Sequence, residues 1–209
     1  APVIHVANGL FPDQIKVNPP SKISPHALAF MGTVGPENGP DVAIEALALV
    51  RRIYPDATLH IIGGNQNSFA WLLPIIQRLG LQKAVRHYGF IPRVTDMAKI
   101  LRTCAIGLAP YRAMTGSPRY YGDAGKIRAY CASGLPVISS QVPPLGREVA
   151  QYGAAIVVSD DPKHFAHSIV QLIADTKMYN SLRSHAIAFA KKNTWENQFA
   201  HAFTLMLTL

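Results

Sequence analysis

From residue 27 onward, short apolar runs alternate with stretches in which apolar residues recur every three or four positions. ALAFMG over 27–32 is brief and almost wholly apolar, which predicts a buried strand. PDVAIEALALVRRIY over 40–54 sets Val42, Ile44, Leu47, Leu49, Val50 and Ile53 at helical intervals. Its Pro40 stands in the first turn, where a missing N–H costs a helix nothing. TLHIIGG over 58–64 predicts a strand ending in two glycines. NSFAWLLPIIQRLGL over 67–81 predicts a helix capped by Asn67 or Ser68 and kinked at Pro74. The alternation continues with a strand over 84–90, a helix over 94–104, a strand over 105–111 and a long polar loop over 112–122. A helix from about Asp123 to Ser133, a strand over 136–140, a helix over 144–153 and a strand over 154–159 follow. Three helical patterns close the chain, over 161–175, 176–193 and 195–209. At the other end, a strand-like VIHVA over 3–7 leads into a proline-rich polar stretch over 8–25.

Strand followed by helix about six times predicts an α/β fold: a Rossmann-like, doubly wound parallel sheet of about six strands, helices on both faces, and a C-terminal helical tail. The whole chain, 1–209, reads as one such domain. Ligands in these sheets gather where strands end and helices begin. The composition agrees. Of 209 residues, 49% are apolar and 15% charged, enough apolar side chain for a sizeable core and far from a disordered or fibrous chain. Two cysteines, Cys104 and Cys131, exclude a disulfide scaffold and a Cys-based zinc site. Charged residues, glycine or proline interrupt every apolar run well short of a membrane span. The chain opens on Ala1 without a leader-like segment, and is expected to be a piece of a longer polypeptide.

Charge adds a second pattern. Residues 78–128 hold ten Lys or Arg against Asp96 and Asp123, which accounts for the net charge of +8. A basic middle fits an anionic partner or a merely solvated face. Three glycine-bearing turns, GTVGPENG (32–39), GGNQN (63–67) and GDAGK (122–126), lie where strands or loops feed helices. Backbone N–H groups and the helix dipole favour an anion there. None has the spacing of a Walker A loop or a dinucleotide fingerprint. Lys126, in the first turn of its helix, opposes the dipole unless an anion answers it. His164 and His167 share a helix face but lack a third ligand, Cys131 reads as a buried thiol, and Trp195 reads as packing. No Ser-His-Asp order is arguable, and no catalytic residue or metal ligand is assigned.

GTVGPENGPDVAIEAL, LHIIGG, VRHYGFIP, LAPYR and YGDAGKIRAYCASGLPVISS, taken in order, resemble the landmarks of the C-terminal half of a GT-B retaining glycosyltransferase of family 4, the glycosyltransferases group 1. The resemblance implies a two-domain enzyme. Its C-terminal half holds a nucleotide sugar, a UDP- or GDP-sugar, without a metal or other cofactor. The acceptor, a glycan, lipid or small molecule, lies mainly on an N-terminal half outside this chain. It further implies that Lys126 contacts the donor diphosphate and that Gly122, Asp123, Ala124 and Gly125 form the turn that meets phosphate or sugar. Phe90 and Ile91 would stand where the backbone meets the base, and Gly63 and Gly64 would admit the nucleotide. Gly32 opens the first loop, where the family commonly carries Arg and Lys at the places of Thr33 and Asn38. Ala129 and Tyr121 stand where the family has a pair of glutamates, the later of which bonds the ribose.

Each lost charge-assisted contact weakens donor binding by about 1.5–3 kcal/mol. The expected activity is therefore sugar transfer by the full-length protein, with this chain alone inactive. The alternative is a non-catalytic module of the same fold that acts as a partner in glycan assembly. The expected setting is the cytoplasm, with peripheral association at the inner face of the plasma membrane. Nucleic-acid binding is not expected, since the basic middle lacks an aromatic stacking series.

Overall fold

The computed structural model describes residues 3–4 and 6–208. Six strands form one wholly parallel sheet: β1 (Ala27–Met31), β2 (Thr58–Ile62), β3 (Val85–His87), β4 (Ile106–Ala109), β5 (Val137–Ser140) and β6 (Ala155–Val158). Their order is β3-β2-β1-β4-β5-β6. The chain works outward from β1 to β3, then returns to the other side of β1 and works outward again. The reversal falls between β1 and β4, where Phe30 stands opposite Leu108, and it opens a crevice at the carboxyl ends of those strands.

Nine α-helices connect or follow the strands in the described residues: α1 (Pro40–Val50), α2 (Gln66–Phe69), α3 (Leu73–Arg78), α4 (Val94–Leu101), α5 (Gly125–Ala132), α6 (Pro144–Gln151), α7 (Pro162–Ala174), α8 (Thr176–Lys192) and α9 (Trp195–Met206). Alternation along β1 divides the core. Leu28 and Phe30 face one layer with Ile44 and Leu47 of α1, Ile76 of α3 and Phe165 and Ile169 of α7. Ala27 and Ala29 face the other with Leu101 of α4, Ile127 and Tyr130 of α5, Val149 of α6 and Phe189 of α8. Both faces are covered, as the near-continuous apolar strands require.

The expected elements are present with shifted bounds. The helix expected over 67–81 is broken: α2 ends at Phe69, a 3-10 turn covers Ala70–Leu72, and α3 restarts at Leu73. Proline at position 74 has no N–H, and its ring crowds the carbonyl four residues earlier, so the break precedes it. The cap is Asn65, not Asn67 or Ser68. Its Oδ1 accepts from the Ser68 amide at 2.9 Å while Ser68 Oγ accepts from the Asn65 amide at 2.8 Å. The strand expected over 84–90 shrinks to the three residues of β3, since a sheet edge supplies ladder partners on one side only. The expected opening strand is not formed at Val3, Ile4, Val6 or Ala7, and His5 lies outside the described residues. The first bridge is Leu10 to Thr194.

Candidate functional site

Loops from the carboxyl ends of β3, β2, β1 and β4 converge on the crevice, and their glycines set the spacing. Gly39, in the left-handed region at φ 66°, caps α1 so close to Pro110 that a Cβ would collide with the Pro110 carbonyl oxygen. Gly63, at φ 124°, lies against the carbonyl of Gly32 and donates its amide to Gly89 O at 2.8 Å. The ends of β1, β2 and β3 thus lean on one another. Phe90 projects from the last of them with 75% of its surface exposed. Ile91 turns back to pack on the α4–α5 core layer.

Across the crevice, α5 is fixed by Tyr130. Its ring lies against Gly107 of β4, where no Cβ fits. Its hydroxyl donates to Leu108 O at 3.0 Å and accepts from Met31 N–H at 2.7 Å, tying α5 to both strands at the switch point. Lys126 stands four residues earlier on the same helix face. Its Nζ lies 4.3 Å from the ring centroids of both Phe30 and Tyr111. It is buried and has no hydrogen-bond partner. Burial, and secondarily the Arg119 charge, push its pKa down to about 7. A buried ammonium between two aromatic faces with no counter-charge stores free energy that an arriving anion releases.

The flanking loops are bound by ion pairs. Arg112 of the 110–124 loop pairs with Asp41 in the first turn of α1. Arg119 donates to Glu37 at 2.8 Å, and the Arg112 amide donates to Glu37 O at 3.0 Å. The basic stretch over 78–128 is therefore largely answered within the chain. Arg78, Arg93, Lys99, Arg112, Arg119 and Arg128 each have a carboxylate partner.

The residues singled out in the sequence divide into two groups. Gly32, Gly63, Gly64, Phe90, Gly122, Ala124, Gly125 and Lys126 sit at the carboxyl ends of the strands or on the turn entering α5. The others have different surroundings. Thr33 accepts a 2.8 Å hydrogen bond from the buried Asn38, so the two close the first loop as a neutral pair. Asp123 accepts from Arg128 Nε at 3.1 Å. Ala129 lines a small apolar recess with Val94, Met97 and Ala98 of α4. His164 and His167 are exposed on α7, and Cys131 is buried with its thiol pKa raised to about 12. Sequence reasoning missed the roles of Phe30, Glu37, Asp41, Tyr111 and Tyr130. Opposite charges in the two loops that flank the reversal, Glu37 and Asp41 against Arg112 and Arg119, were the available signal.

The profile of the family described as glycosyl transferases group 1 matches residues 25–175, nearly three quarters of the chain. The chain belongs to this family. A D-inositol 3-phosphate glycosyltransferase of Jonesia denitrificans is 31% identical over 188 residues, which cover 87% of this chain and 42% of that protein. The enzyme of the same name from Stackebrandtia nassauensis is 26% identical over 181 residues, 81% of this chain and 39% of that one. The chain thus spans about two fifths of the length of the curated relatives it matches. Among solved structures, Anabaena HepE in complex with UDP superposes with a TM-score of 0.79 at 21% identity, covering 98% of this chain and 57% of that one. The C-terminal domain of the group 1 family protein LpcC from Francisella tularensis gives a TM-score of 0.74 at 17% identity, covering 88% of this chain and 97% of that domain. These likenesses establish the GT-B half-fold for this member of the glycosyl transferases group 1.

Proposed function

We propose that this chain is the donor-binding half of a retaining glycosyltransferase and that it holds a nucleoside-diphosphate sugar, a UDP- or GDP-sugar, at the β1–β4 crevice. The observation that carries this reading is Lys126: a buried, unpartnered cation at the topological reversal of the sheet and in the first turn of α5. Its Nζ and the positive end of α5 neutralise the diphosphate as the bond to the sugar breaks. Phe90 offers an exposed face at the β3 end, suited to a base. Gly63 and Gly64 let the β2 end close against Gly32, Val34 and Ser68, which shapes the floor beside the crevice. The acceptor binds on a further N-terminal domain of the full-length protein, so this chain binds donor and transfers nothing by itself. The relatives' names, D-inositol 3-phosphate glycosyltransferase, support a hydroxyl-bearing acceptor, whether small molecule, glycan or lipid. The full-length protein works in the cytoplasm, at the inner face of the plasma membrane where its acceptor is lipid-linked. Among the described residues no helix is long and apolar enough to cross a membrane.

The rival reading, a non-catalytic module, draws on Thr33, Asn38 and Ala129. The curated relatives bear the names of transferases, which supports the catalytic reading instead. Titration with UDP, GDP, ADP and TDP tests it. One diphosphate is expected to bind with a Kd on the order of micromolar, and Lys126→Ala to weaken it at least tenfold. Absence of binding across all four, in the full-length protein as well, would refute the proposal.

A further inference from the structure

The first loop, with its neutral Thr33–Asn38 pair, offers no positive side chain to a diphosphate, yet a second unmet cationic donor stands beside Lys126. Arg119 Nε is buried without a hydrogen-bond partner, although the Nη2 of the same guanidinium is held by Glu37 at 2.8 Å. Its Cζ lies 6.0 Å from the centroid of the Tyr111 ring, the ring that Lys126 also contacts. Arg119 further shares the lining of a narrow recess with Tyr111, Gly122, Asp123 and Ala124, the turn that leads into Lys126. The nearby carboxylates are already engaged: Glu37 with Arg119, Asp41 with Arg112, Asp123 with Arg128. Arg119 Nε and Lys126 Nζ are thus two buried donors beside one aromatic ring, neither with a hydrogen-bond acceptor among the described residues, which one bridging anion would satisfy.

We propose that Arg119 is a second diphosphate-gripping residue, held ready by Glu37, and that it works with Lys126 to supply the charge that Thr33 and Asn38 do not. The inference rests on the donor-binding reading above and assigns to that site a residue from the 110–124 loop. Glu37 is a positioning residue. Its carboxylate takes one edge of the guanidinium and leaves Nε for the ligand. Because Glu37 belongs to the loop after β1 and Arg119 to the loop after β4, the pair also fixes the width of the crevice.

The test is calorimetric titration of the 209-residue chain with UDP and, separately, inorganic pyrophosphate. The proteins are wild type, Arg119→Gln, Arg119→Lys and Lys126→Ala. Arg119→Gln is expected to weaken both ligands at least tenfold, and Arg119→Lys to regain most of that loss, with unchanged near-UV circular dichroism in both. The proposal is overturned in three ways. Arg119→Gln binding within twofold of wild type, while Lys126→Ala still abolishes binding, removes Arg119 and leaves the donor site standing. Loss of UDP affinity with pyrophosphate unaffected assigns Arg119 to the base or sugar instead. Failure of the wild type, as this chain and as the full-length protein, to bind UDP, GDP, ADP or TDP removes the donor reading, and this inference with it. Should Arg119→Gln fail to fold, Arg119→Met, which keeps an unbranched stem and removes the charge, is read in its place against the same expected losses.

Discussion

Lys126 concentrates the tension between stability and function in one side chain. Its ammonium is desolvated by Phe30, Tyr111 and the opening turn of α5, and the Arg119 charge adds to the cost of protonating it. In the unfolded chain a lysine keeps its proton to about pH 10.4. Between about pH 7 and that value the unfolded state therefore binds more protons than the folded one, and stability rises with pH. The useful window is 7 to 8.5. Above about pH 9 the buried thiols of Cys104 and Cys131, both raised to about 12, act in the opposite direction. Urea unfolding of the unliganded chain should show a gain of roughly 1–2 kcal/mol across that window. In Lys126→Met this rise should vanish, and the variant should be more stable at pH 7 by on the order of 2 kcal/mol while losing diphosphate affinity. A Lys126→Met chain less stable than wild type at pH 7 would mean that the ammonium is satisfied in the fold. The position of Lys126 was legible because a lysine in a first helical turn is a local anomaly. Its aromatic neighbours were not, since Phe30 lies on β1 and Tyr111 just past the end of β4, and the adjacency of those two strands depends on sheet order.

At the level of elements, the joint between α5 and the sheet decides whether that lysine is aimed at all. Ala27, Ala29 and Gly107 keep the sheet surface low, and Tyr130 fills the space and bonds to both central strands. Gly107→Ala puts a methyl where the Tyr130 ring lies and should cost about 1–3 kcal/mol by overpacking. Tyr130→Phe deprives the Met31 N–H of its acceptor, at a similar cost of about 1–3 kcal/mol. Thermal unfolding of both variants checks this, and a shift in midpoint of less than 1 °C in both would refute the role of the joint. Elements of this kind were largely readable from periodicity, as the six strands and the three closing helices illustrate. Boundaries were not, for identifiable reasons. Pro74 breaks rather than kinks its helix, because the 3-10 turn before it already bends the chain and Asn65 supplies an earlier cap. At β3 the apolar run outlasts the ladder because the edge lacks a second neighbour.

For the whole molecule, the controlling feature is the reversal of strand order at β1 and β4, which brings loops separated by up to about ninety residues in sequence around one cation. The alternation of strands and helices implied a doubly wound sheet, and with it the end of the sheet at which glycine turns and basic residues would meet. It did not disclose how the basic stretch over 78–128 would be spent. Most of those side chains pair with acids, and the pairs Arg112–Asp41 and Arg119–Glu37 join loops that no local pattern connects. Nor did helical periodicity in the tail reveal that α9 leaves Phe199, Phe203 and Met206 at least half exposed, since an amphipathic pattern marks a face without saying whether this chain covers it. Of the four basic residues in 78–128 left without a carboxylate among the described residues, Lys83, Arg86, Arg102 and Lys126, only Lys126 is buried, and the proposed function rests on its waiting for a diphosphate. The most direct test is to follow the Lys126 Nζ resonance by NMR through a pH titration, without ligand and with saturating UDP. The expected midpoint is near pH 7 in the free chain and moves upward by more than about two units when UDP is bound. A free midpoint near the ordinary lysine value, or one that UDP leaves in place, would contradict the proposed function.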